Sequence, residues 1–124
     1  MTTSVSLSFA AVNIDCLDAV ALAGFWGEAL GRPVSPGKVP GDTAVEATGP
    51  ESGPRMIFHT VSELVAAGNR FRPILLTELY HEEIERLTGL GATSVNETKL
   101  PEVRWTTFND PEGNEFDLVN WQPA

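Results

Sequence analysis

The feature that most constrains this chain is that its helix-ending punctuation occurs twice. Leu30-Gly31 recurs as Leu90-Gly91 sixty residues on, and each pair closes a stretch of helical periodicity. A glycine just past the last apolar position stops a helix because it enters the left-handed region without steric cost. Asp18 is placed to N-cap a first helix running to Leu30, with Leu22, Phe25, Trp26 and Ala29 on one face and Pro33 beyond its end. The second helix reads as Glu82–Leu90, with Ile84 and Leu87 inward. A strand precedes each helix and three follow it. They are Val5–Cys16, then Val34–Lys38, Thr43–Ala47 and Arg55–Val61; and Phe71–Leu76, then Thr93–Thr98, Arg104–Asn109 and Glu115–Asn120. Pro73 removes a ladder donor from the fifth strand and puts it at a sheet edge or a bulge. Asp110-Pro111-Glu112-Gly113 is a tight turn between the last two strands.

The order is βαβββ twice, which predicts an α+β fold: a curved eight-stranded mixed sheet with the helices on its outer face. One helix per module cannot cover both faces of a sheet, so the other face should line a concave cleft. A chain of 124 residues is one domain's worth, with modules at about residues 5–61 and 70–121. Eight Lys and Arg against seventeen Asp and Glu leave a net charge of -9, which repels phosphate backbones and anionic membranes, so neither nucleic acid nor membrane is an expected partner. No apolar run approaches the ~18 residues of a membrane span, and the start has no basic region of a secretory signal. A cytoplasmic location is the expectation. Cys16, the single cysteine, cannot form an intrachain disulfide, and with no His or basic neighbour it reads as a small buried residue rather than a nucleophile. No glycine-rich phosphate loop, GxSxG elbow or CxxC pair is present.

Four stretches carry a resemblance: Phe25–Gly31 (FWGEALG), Asn69-Arg70, Glu85–Ala92 (ERLTGLGA) and Asp110–Val119 (DPEGNEFDLV). Together the chain resembles the glyoxalase-like branch of the vicinal oxygen chelate superfamily, which includes glyoxalase I, extradiol dioxygenases and bleomycin- and fosfomycin-resistance proteins. The resemblance runs from about Val5 to Trp121 and implies paired βαβββ modules around a cavity. It also implies metal ligands at the middle of the first and last strand of each module. Projected here, those positions fall near Asn13 (or Val12), His59, Arg72 and Asp117. Asp117 takes its place by counting from the DPEG turn, and His59 is its counterpart through the match of Phe58 to Phe116. Arg72 stands where relatives often carry His. A guanidinium cannot bind a cation, so His59 and Asp117 remain as the candidate ligands, one short of the three protein ligands of a typical catalytic site.

The residue readings stay double. Arg72 and Asp117 form either a ligand-holding pair or a structural salt bridge. His59 is a proton-transfer group or ligand, or a hydrogen-bonded structural histidine. Glu115 shares the Asp117 face by strand periodicity, either solvated or as a second carboxylate. Trp105 and Trp121, near strand ends, either join the core or flank a ligand, whereas Phe25 and Trp26 pack. Tyr80-His81 reads as solvated capping structure before the second helix. The expected function is small-molecule binding of the glyoxalase/bleomycin-resistance type, with Asn13, Arg72, Trp105, Glu115 and Trp121 contacting ligand and no cofactor. The alternative is a glyoxalase-like lyase or isomerase using His59 and Asp117, with or without a divalent metal. The resemblance and the Gly/Pro-rich stretch Pro33–Pro54 together suggest a homodimer.

Overall fold

The computed structural model describes residues 9–37, 39–63 and 72–120. In chain order they form β1 (Ala11–Cys16), α1 (Ala19–Leu30), β2 (Val34–Pro36), β3 (Asp42–Val45), β4 (Arg55–Thr60), β5 (Ile74–Thr77), α2 (Tyr80–Leu90), β6 (Thr93–Lys99), β7 (Arg104–Asn109) and β8 (Glu115–Asn120). This is βαβββ twice. The strands fall into two four-stranded mixed sheets of order β1-β4-β3-β2 and β5-β8-β7-β6. In each sheet the first strand of the module runs parallel to the last, and the remaining pairs are antiparallel.

Boundaries move where the backbone chemistry dictates. β5 starts at Ile74, after the proline, and occupies a sheet edge. Pro73 has no N–H to give, yet its carbonyl accepts from the Asp117 N–H at 3.0 Å and so joins the ladder from one side. The expected strand residues Val5–Ser8, Lys38 and Phe71, and the Asn69-Arg70 pair, lie outside the described residues.

Helix α1 is capped as its sequence dictates. Asp18 Oδ1 accepts from the Ala21 N–H at 3.1 Å, and Gly31 turns the chain at φ 66°. Ala19, Leu22, Ala23, Phe25, Trp26, Gly27 and Ala29 are all buried, a wider band than a helix lying on one sheet needs. The reason is that α1 packs on its own sheet and also on the second module, where Trp26 meets Phe116 edge-on at 4.9 Å. Gly27 permits the close approach to β2: a Cβ there would lie 2.4 Å from a Val34 methyl. Ile14, Val45, Met56 and Phe58 from the first sheet join Phe108, Phe116 and Leu118 from the second in one core around this helix.

Helix α2 begins at Tyr80 rather than Glu82, and Tyr80 is not solvated capping structure. Its side chain is buried, its hydroxyl donates to Glu97 Oε2 at 3.0 Å and shares a hydrogen bond with Thr106, and the Arg104 guanidinium lies 4.8 Å from its ring centroid. An aromatic ring with a polar tip could satisfy both ends only by starting the helix over β6 and β7.

Polar clamps tie the second module to α1. Asp110, 4% exposed, accepts from the Trp26 indole N–H at 3.0 Å and from the backbone N–H groups of Glu112 and Asn114 in its own turn. Glu112 accepts from the N–H groups of Leu17 and Asp18 at 2.7 and 2.9 Å. Arg86 of α2 donates to the Glu28 and Ala29 carbonyls at the other end of α1. Within the first module, buried Arg32 donates to the carbonyls of Val45, Glu46, Ser52 and Pro54, holding the loop between β3 and β4.

Replacing Asp110 by Ala strands the buried Trp26 indole N–H and takes the acceptor from two part-buried turn N–H groups. Stability should fall by about 3 kcal/mol, since each buried donor left unpaired costs roughly 1–3 kcal/mol and the turn can relax to recover part of it. The urea midpoint should drop at unchanged slope; an unchanged midpoint would show that the turn does not hold the modules together.

Candidate functional site

Strand alternation divides each sheet into a core face and an open face. In β4, Met56 and Phe58 are buried while Arg55, Ile57 and His59 are partly exposed; in β8, Phe116 and Leu118 are buried and Glu115, Asp117 and Val119 face the other way. The candidate residues therefore stand on the open faces, and they gather into two clusters.

The first cluster lies on β8 and the residues preceding β5. Arg72 donates from Nε and Nη2 to the two carboxylate oxygens of Asp117 at 3.0 and 3.1 Å, and from Nη1 to Glu115 at 3.0 Å. The two-pronged fit to Asp117 is what a planar guanidinium provides and an ammonium cannot. Thr107, opposite Asp117 in the β7–β8 register, adds a hydroxyl donor at 2.6 Å. Burial pushes the Asp117 carboxyl up, but the hydrogen bonds from Arg72 and Thr107 and the guanidinium charge outweigh it and leave it below the usual aspartate value. Ile74 pairs with Asp117 across the sheet, and Ile74 and Leu76 are exposed.

The second cluster spans three strands of the first sheet. His59 pairs in register with Asp15 on β1 and Asp42 on β3, and its Nδ1 is hydrogen-bonded to Asp42 Oδ1. That bond, ahead of the nearby charges of Asp42 and Asp15, raises the imidazole above its ordinary value. Beside this row lies another, Asn13–Ile57–Ala44, in which Asn13 is exposed and Ala44 fully buried.

The structure thus brings Arg72, Glu115 and Asp117 together and gives His59 a different partner. Among the described residues no hydrogen bond or ion pair joins His59 to Asp117. The correspondence of His59 with Asp117 does not hold either. The registers pair Asn13 with Ile57 and Ile74 with Asp117, and β4 and β8 begin at Arg55 and Glu115. The counterpart of Asp117 is then Ile57, and that of His59 is Val119. The Phe58–Phe116 match is two residues out of step, because both strands place an aromatic on the core face where period-two alternation looks the same after a shift of two.

Trp105 is half-buried on the open side of the second sheet, two cross-strand pairs along from Thr107. Trp121 lies outside the described residues. Cys16 is buried, and burial, with the nearby Glu112, Asp18 and Asp15 charges, pushes its thiol up to about 11, which makes it inert at neutral pH. Asp42 and Thr107 escaped the sequence reading. Thr107 could have been found by counting back across the hairpin from the Asp110 turn, whereas the long loop between β3 and β4 hides the register that brings Asp42 to His59.

For a divalent metal the donor set is poor. Two neighbouring strand-centre positions are the apolar Ile57 and Ile74, both oxygens of Asp117 are engaged by Arg72, and among the described residues no three His, Cys, Asp or Glu side chains converge.

Two βαβββ halves, each leaving one sheet face open and sharing a core around α1, define a paired-module protein. The chain belongs to the glyoxalase-like domain family, whose model matches residues 11–119. Many solved structures share the fold. A glyoxalase/bleomycin resistance protein/dioxygenase family enzyme from Burkholderia phytofirmans superposes with a TM-score of 0.71 at 17% identity, over 89% of this chain and 95% of that one. UcmS2 gives 0.69 at 25% identity, over 94% and 100%. A glyoxalase-related enzyme from Fulvimarina pelagi gives 0.66 at 17% identity, over 90% and 86%. No functionally curated protein matches the chain in sequence.

The depressed Asp117 carboxyl has a signed consequence. A group whose folded value lies below its unfolded one, about 3.9 for Asp, contributes stability above that value and loses it as pH falls through the folded one. In Arg72→Ala, burial is opposed by Thr107 alone, so the Asp117 carboxyl should titrate higher and the acid-side loss of stability should shrink. Carboxyl NMR titration checks this; an Asp117 curve identical in both proteins would show that Arg72 does not govern it.

Proposed function

We propose that this protein binds a small molecule on its open sheet faces without a complete catalytic metal site, in the manner of the bleomycin-resistance branch of its superfamily. The observation that carries the reading is the Arg72–Asp117 fork. It sets a fixed positive charge directly on the Asp117 carboxylate and engages both of its oxygens. Arg72 is about half exposed (49%) and its Nη1 is shared with Glu115, so an incoming carbonyl or phenolic oxygen can reach the guanidinium edge. The exposed Ile74 and Leu76 offer the apolar body of the ligand a surface beside it. Trp105 and Asn13 are the flanking ligand contacts of this reading. A lyase or isomerase using His59 with Asp117 would need the two side chains to act together, and each is instead bonded to a different partner.

Calorimetric titration with Zn²⁺, Ni²⁺ and Mn²⁺ tests the reading. The wild type should show no stoichiometric binding at micromolar concentration, and Arg72→His, which frees Asp117 and adds an imidazole, should bind more tightly than the wild type. Micromolar or tighter stoichiometric binding by the wild type would overturn the metal-independent reading.

The same reading includes a homodimer. β5 is an edge strand with one side of its backbone outside the sheet's ladder, an edge that a second copy would pair with. Sedimentation should give a particle of twice the 13.4 kDa chain mass. A particle of the chain mass alone across the micromolar range would remove the dimer from the proposal.

A further inference from the structure

The Asp42–His59 pair belongs to no part of the Arg72 site, and its geometry is that of an oriented base. Asp42 holds Nδ1, and the Nδ1 proton stays on the side facing the carboxylate. The neutral ring then carries its lone pair on Nε2, which has no hydrogen-bond partner among the described residues. The His59 side chain is 43% exposed, whereas that of Asp42 is only 12% exposed, so the imidazole is open to a ligand and its anchor is not.

The anchor itself is built in. The Asp42 N–H donates to the Val39 carbonyl at 3.1 Å, and its carbonyl accepts from the Gly37 N–H at 2.9 Å. Gly37 lies so close that a Cβ on it would meet the Asp42 Cβ at 2.4 Å. A side chain at position 37 would displace Asp42, so the β2–β3 turn holds the carboxylate in place.

We propose that Asp42 is a positioning residue that makes His59 Nε2 the proton acceptor for a neutral ligand bearing a weakly acidic hydroxyl, a phenol in chemical class. Two carboxylates, Asp15 and Asp42, flank the imidazole on the neighbouring strands and repel an anion, while a lone pair seeks a donor. Ile57, two residues along the same face and only partly buried, supplies an apolar floor on which a flat ring can lie. In the transfer the ligand's O–H bond breaks, its electron pair stays on oxygen, and the proton forms the Nε2–H bond. Asp42 balances the imidazolium charge.

The chain has two histidines, His59 and His81, so their ring signals can be assigned by substituting either one. Nitrogen NMR at high pH should find His59 as the Nδ1–H tautomer. Adding 4-nitrophenol near neutral pH, where part of it still carries its O–H, should shift the His59 ring signals and leave those of His81 and the amides around Arg72 in place. Asp42→Asn should let the tautomer redistribute and weaken 4-nitrophenol binding about tenfold or more, the size expected when a charge-assisted hydrogen bond is lost. Gly37→Ala, which keeps the carboxylate but displaces it, should weaken binding in the same direction.

A wild-type His59 in the Nε2–H tautomer overturns the proposal without any variant. So does 4-nitrophenol that fails to bind, or that shifts only signals around Arg72. The last result would leave the Arg72 reading standing, and failure of the metal titration would leave this one standing.

Discussion

The carboxylate of Asp110 is the interaction on which the rest of the arrangement depends. It ties a tight turn in the second module to the indole of Trp26 in the first. A buried carboxylate is costly unless its lone pairs are taken, and here backbone and indole donors take them. Glu112, two residues on, receives the N–H groups at the entry to α1, and Arg86 binds the carbonyls at its exit. Helix α1 is thus gripped at both ends and at its middle by the other half of the chain. That grip lets so apolar a helix serve as a shared core, and it leaves the opposite faces of both sheets free for chemistry.

Those free faces carry charge in pairs rather than singly. Arg72 faces two carboxylates, and His59 lies between two. In a chain with net charge -9 the cationic groups on the open faces are the scarce component, and each is bound by the acids beside it. A ligand on these faces, as proposed, would meet polarised hydrogen-bonding groups rather than bare charge, which favours neutral or delocalised oxygen functions over strongly anionic ones.

Most of the fold was legible because it is written in local signals. Asp18 and Gly31 mark the ends of α1, and Gly91 that of α2. The Asp110–Gly113 turn sets the β7–β8 register, and Pro73 marks an edge. The Arg72–Asp117 pair followed from the family resemblance, which projects two of its site positions onto these residues. What stayed hidden depends on distance through space. Tyr80 looked like a solvated residue because its partners, Glu97, Thr106 and Arg104, lie on strands formed later in the chain. Asp42 could not be assigned to His59 without the β3–β4 register, and the module correspondence slipped by two residues because alternation is blind to that shift.

Arg32 offers a different lesson. Burial lowers its pKa, and its guanidinium is met by four main-chain carbonyls rather than by a carboxylate partner. Every residue carries a carbonyl, so this grip makes no demand on which side chains the loop between β3 and β4 displays. Inside the loop the Ser52 hydroxyl accepts from the Thr48 N–H and donates to the Gly49 carbonyl, and Gly53 turns the chain at φ 89°, so side-chain identity matters there while the contacts to Arg32 read backbone alone. The planar fork is the part that cannot be exchanged; a lysine, with one nitrogen, could not span the four oxygens.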